Sequence, residues 1–145
     1  MAAARKPRLF SFGRETELAN LDAWVEDPEQ QQLLVAVVDA FIEVTRTRKL
    51  TAENLAPIVV ASAHPADTVR ALALSRLVVM AHYFDDAHEA LVALARNPSP
   101  AVRRFVAASL ANAPENSRES LLPALRGDPD PTVRDAAEHA TTPAG

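Results

Sequence analysis

Asp128-Pro129-Asp130-Pro131-Thr132-Val133-Arg134 is the stretch on which the reading of this chain turns. A proline in a helix interior costs a backbone hydrogen bond, yet its fixed φ suits the first helical position. Two prolines in four residues therefore end one helix and begin another. The element recurs as Pro98-Ser99-Pro100-Ala101-Val102-Arg103 and as His64-Pro65-Ala66-Asp67-Thr68-Val69-Arg70. The Val-Arg pairs lie 33 and then 31 residues apart, a period typical of helical repeats. A fixed period means one supersecondary unit stacked on copies of itself, each burying its neighbour's apolar face.

Superposing the three units on their valines extends the match. Three residues after the valine stand Leu72, Phe105 and Ala136, and four after stand Ala73, Val106 and Ala137. At helical spacing these positions share a face with the valine. Leu55, Leu91 and Leu121 fall at similar offsets upstream, and Pro57 and Pro123 each stand two residues after their leucine.

Working outward, Asp67 to about Ala81 reads as one helix of the period. Asp86 is expected to cap the next, with Glu89 at the capping-box position, and Asn116 with Glu119 to cap the helix that ends at Gly127. Ser99-Pro100 and Asp130-Pro131 read as helix starts, the last helix fading by Thr141. Upstream, Asp27-Pro28-Glu29-Gln30 is a strong helix start, and the apolar residues from Leu33 to Val44 cover more than half of the helix that follows. Thr51 caps a helix through Ala63. Arg14 to Val25 shows a shorter helical pattern with Leu18, Leu21 and Trp24, and residues 1–13, broken by Pro7 and Gly13, read as a flexible basic leader. The sum is about eight helices in one all-α domain over residues 14–145, with residues 14–50 as an atypical N-terminal cap and 51–140 as the repeats.

Composition narrows the function. The chain has 145 residues, no cysteine, three glycines and a net charge of −4. Disulfides and Cys-based zinc sites are excluded, and glycine is too scarce for a β-rich or phosphate-cradling design. Acids outnumber arginines from residue 51 onward, which leaves no basic stripe for nucleic acid. No apolar run reaches the length of a membrane span, and the basic N-terminus lacks the apolar stretch of a secretory signal, so a cytoplasmic location is expected.

The stretch Leu121 to Ala137 resembles a HEAT repeat: an apolar helix, an Asp-Pro turn, then Val-Arg followed by alanines. Leu91 to Leu110 is similar, and Leu55 to Leu77 more loosely so. The short period is most like the bacterial HEAT-like repeats, the group that includes phycobilin-lyase-type arrays. Leu91 to Arg103 and Val133 to Pro143 also resemble the leucine-rich-variant repeat, whose unit is shorter than the period seen here. The resemblance implies a right-handed α-solenoid of helical hairpins. It implies that Arg70, Arg103 and Arg134 form a structural ladder with acids of their own or the adjacent repeat, Asp67 and Asp130 being the candidates, with Ser99 standing where the middle unit lacks one.

It also implies a non-enzymatic scaffold that binds a protein or peptide on a concave face made by the second helices of the hairpins. Glu53, Asn54, His88, Glu89, Arg118 and Glu119, in the first turns of those helices, are the expected contacts. Tyr83 and Phe84, in a loop, are candidate anchors. The alternative is a lyase-like or chaperone-like module holding a tetrapyrrole or other small ligand. His82, His88, Asp85, Asp86 and Glu89 could in principle ligate a metal, but two histidines six residues apart across a loop do not share a helix face. No metal or other cofactor is expected, and no hydrolase, metalloprotease, P-loop or dinucleotide motif occurs. The last unit lacks a second helix, so either Ala136, Ala137 and Ala140 are expected to face a neighbouring copy of the chain or the array is cut from a longer ancestor.

Overall fold

The structure, a computed structural model, describes residues 27–141. The basic leader, the helical pattern over residues 14–25 and Trp24 lie outside these described residues. Within them the chain forms seven α-helices and no strand. They are α1 (Pro28–Thr47), α2 (Ala52–Ser62), α3 (Asp67–Ala81), α4 (Asp85–Leu94), α5 (Pro100–Ser109), α6 (Glu115–Arg126) and α7 (Pro131–Thr141), with one 3₁₀ turn, Leu110–Asn112, between α5 and α6.

Several boundaries follow from the expected chemistry. The Asp27 carboxylate accepts the backbone N–H groups of Glu29 and Gln30, with Pro28 as the first helical residue of α1. Thr51 Oγ1 accepts the N–H of Asn54 at the start of α2. Asp130 Oδ1 accepts the N–H of Thr132 at 2.8 Å ahead of α7. These bonds satisfy N–H groups that a helix start otherwise leaves without partners.

Two expected caps are corrected. Helix α4 begins at Asp85 with Phe84 at its N-cap and no side-chain bond to it. Helix α6 begins at Glu115 after Pro114, again with no side-chain cap. In both cases the helix starts two residues before the expected first residue. Asp86 and Asn116 then fall inside the helix, where a short side chain no longer reaches the orphan N–H groups. Pro57 and Pro123 do lie inside α2 and α6, on exposed or half-exposed flanks where water can take the carbonyl freed four residues upstream.

Consecutive helices pack as antiparallel hairpins and form two layers: α1, α3, α5 and α7 in one, α2, α4 and α6 in the other. One apolar core runs between them. Val69, Val102 and Val133 are buried, as are Ala73, Val106 and Ala137 four residues later. Leu91 and Leu121 join that core and Leu55 packs half-buried against it. The fold is a short α-solenoid whose repeat valines form its spine. No described helix is long and apolar enough to cross a membrane.

Of the three junctions in the first layer, the last two, α3–α5 and α5–α7, differ. Between α5 and α7 the helices lie close together, with Ala107, Ala137 and Ala140 fully or almost fully buried. Small side chains permit such close approach because little volume stands between the backbones. Between α3 and α5 the helices stand further apart, with Phe105 half-buried between them. Ala137 and Ala140, expected to face a second copy, are thus buried inside the chain. The outward face of α7 carries the exposed Arg134, Asp135, Glu138 and His139.

Candidate functional site

The repeat arginines come first, because they decide which surface is left for binding. Each reaches back over its own turn. Arg70 Nη1 donates to the carbonyls of His64 and Pro65, at 2.8 and 2.9 Å. Arg103 Nη1 donates to those of Asn97 and Pro98, and Arg134 Nη1 to those of Asp128 and Pro129. The residue before each proline also uses its side chain. His64 Nδ1, Asn97 Oδ1 and Asp128 Oδ1 accept the N–H two residues on, at 3.0, 2.9 and 2.9 Å. One turn is therefore built three times from three different side chains. Sequence reasoning missed it, although the signal stood in plain view: a hydrogen-bond acceptor immediately before Pro65, Pro98 and Pro129.

The acidic partners are rearranged from the expected ladder. Arg70, 2% exposed, pairs with Asp67 of its own unit. The unit of Arg103 has Ser99 where an acid was sought, and Arg103 forks instead onto Asp128 of the next unit, at 2.8 and 3.1 Å. That bond holds the Asp128 carboxyl below its usual range against the cost of burial. Asp130 is not the partner of Arg134. Its carboxylate accepts both the hydroxyl and the N–H of Thr132, the first of which lowers its pKa most. An N-cap position draws the acid onto its own helix.

The arginines of the two junctions consequently do different things. At the close junction Arg103 bridges to Asp128. At the open one the Arg70 guanidinium lies over the Phe105 ring, 4.2 Å from its centroid, a cation–π contact. Arg104 covers the same ring from 5.4 Å. Position 97, equivalent to 128, holds a neutral asparagine, and the buried Nε of Arg70 has no hydrogen-bond partner.

The open junction leaves a groove of about 790 Å³ between α3 and α5. Its trough is apolar, with Leu74, Val78, Val79, Phe105 and Ala108. Ser75, Arg76, His82, Ser109, Asn112 and Arg118 supply the polar rim. His82 Nε2–H donates to the Asn112 carbonyl at 3.0 Å, linking the C-terminal end of α3 to the 3₁₀ turn. Arg118 donates to the Ala140 carbonyl at 3.2 Å, which reaches from α6 to the last turn of α7. Arg76 stacks on Phe41 of α1, 5.2 Å from the ring centroid.

The concavity is therefore not where it was expected. It belongs to the layer of Val-Arg helices, whereas five of the six first-turn contacts predicted on the second helices lie elsewhere. Glu53, Glu89 and Glu119 are exposed on the other layer. Asn54 is half-buried, its N–H spent on the Thr51 cap. His88 Nδ1 shares a 2.7 Å hydrogen bond with the buried Ser117 hydroxyl, so it ties α4 to α6. Arg118 alone of the six lines the groove. Of the aromatic pair, Tyr83 is 40% exposed, while Phe84 is drawn against the core because it is the residue that starts α4. Among the described residues no group of three or more His, Asp or Glu is assembled to hold a metal.

A stack of helical hairpins with regular turns, a continuous spine and a lateral groove defines an α-solenoid repeat protein. A family model described as HEAT repeats matches residues 52–141, more than half of the 145 residues, and the chain belongs to the HEAT repeat family. No curated protein and no solved structure matches it.

Proposed function

We propose that this HEAT repeat chain is a non-enzymatic interaction module that binds a polypeptide segment in the groove between α3 and α5. The single observation that supports this most is the groove itself: an apolar trough with a few polar side chains on its rim, the composition of a recognition site. Its position follows from the repeat, since the α3–α5 junction is wider than the α5–α7 junction that follows it. The exposed acids Glu53, Glu89 and Glu119 are then the solvated outer surface. Capture from native lysate tests the reading by comparison. Proteins retained by the wild type and by a Glu53→Ala, Glu89→Ala, Glu119→Ala variant, but lost from Ala108→Arg, support it. The same set bound by both variants sinks it.

A second reading has one observation in its favour. The groove volume of about 790 Å³ lies within the range of small-molecule sites, which suits a tetrapyrrole or another apolar ligand. Native mass spectrometry of the purified chain separates the two, because a bound ligand adds a discrete mass.

A further inference from the structure

We propose that the segment taken by the groove is acidic and apolar together: one or more Asp or Glu residues set against Leu, Ile or Phe side chains. This rests on the groove being the recognition surface and goes on to name the chemistry of what enters it. The chain as a whole is acidic, with a net charge of −4. Yet the described residues lining the groove include no Asp or Glu, and the Arg118 guanidinium stands on its rim. Charge of one sign in a concave, low-dielectric wall focuses the field on the ligand and selects the opposite sign.

Two rim groups are held in place by neutral backbone acceptors: Arg118 by the Ala140 carbonyl and His82 by that of Asn112. His82 spends its Nε2–H in this way, whereas Arg118 gives one N–H to Ala140 and keeps further guanidinium N–H groups and its charge for a carboxylate. Because the Arg118 side chain is already ordered by that bond, an incoming acid meets a preformed donor and loses less in ordering entropy. The arginine fork then accepts a carboxylate in two-pronged geometry. Beside these groups Leu74, Val79, Phe105 and Ala108 offer apolar surface to the segment's hydrophobic residues. The chain's own leader, with Arg5, Lys6 and Arg8, carries the wrong charge for this site.

A phage library of random 12-residue peptides, selected on the immobilised full chain, tests the idea. Enriched peptides are then synthesised and titrated by fluorescence polarisation. The expected peptides combine acids with large apolar residues. They weaken by about tenfold on Arg118→Gln, the scale of one charge-assisted contact, and lose binding to Ala108→Arg or Ser75→Arg, two exposed positions on opposite walls. A peptide with its acid changed to Lys should regain binding to Arg118→Glu. Peptides blocked by Ala108→Arg yet indifferent to Arg118→Gln overturn the acidic preference and leave the groove as the recognition surface. Peptides indifferent to all three variants, or no enrichment over bare support, overturn both readings. A dimer by sedimentation that Ala108→Arg disperses assigns the groove to a second copy, and affinity that appears only after deletion of residues 1–13 assigns it to the leader. Either result overturns the proposal.

Discussion

The α3–α5 and α5–α7 junctions are built from the same motif and end in opposite states, one open and one closed. Three residues after the repeat valine, the first junction meets Phe105 where the second meets Ala136. Six residues before the repeat arginine, the first has Asn97 where the second has Asp128. A bulky ring and a missing charge keep α5 away from α3. Alanines and the Arg103–Asp128 bridge hold it against α7. A repeat can thus preserve its turn and its spine while two substitutable positions decide whether neighbouring units enclose a groove.

The largest effect should come from Arg70. Its side chain is buried and satisfies two turn carbonyls, so Arg70→Ala should cost about 3 kcal/mol through orphaned groups and lost packing on Phe105. Arg134→Ala, at an exposed side chain, should cost less than about 1 kcal/mol. Urea unfolding midpoints compare the two, and equal losses would mean that the turns, not the junctions, set stability. Ala137→Leu should push α5 and α7 apart at a cost of about 2 kcal/mol. The same change at Ala108, on the open groove wall, should stay within about 0.5 kcal/mol.

The comparison can also be reversed. Asn97→Asp gives the Arg70 Nε the acid that Arg103 already has, and should add about 1 kcal/mol. In an Arg70→Ala background that gain should vanish, which a double-mutant cycle reads directly. The smallest effect concerns pH. Since folding lowers the Asp128 pKa, its contribution is present above the unfolded carboxyl value of about 3.9. It is lost as pH falls below that through the folded value. Thermal melts taken from about pH 6 down to about pH 3, across the carboxyl range, should fall less steeply for Asp128→Asn than for the wild type. An unchanged slope would remove the bridge from the account of the closed junction.

Much of the architecture was legible in the residues. The Asp27-Pro28 and Asp130-Pro131 starts, the limits of α3 and the buried valines all follow from local chemistry: caps act within three residues, and a helix face is set by spacing alone. The caps at Asp86 and Asn116 failed because a two-residue shift at a helix start is decided by packing, at α4 by Phe84 turning against the core. The candidate site was much less legible. Arg118 was named among the contacts of the second-helix face and lines the groove of the other layer, while His82, Ser75 and Ala108 carried no motif that would place them there.

By itself, then, the sequence determined a stack of helical hairpins, its period, its core positions and the arginines that brace its turns. Each of these depends on contacts within one unit or on a spacing repeated from unit to unit. Which layer would be concave, which acid each arginine would take, and where the groove would open were decided only in three dimensions. They depend on the distance between helices more than thirty residues apart in the chain, and that distance is a balance of side-chain volumes and charges from both sides of a junction, which no single stretch of sequence contains.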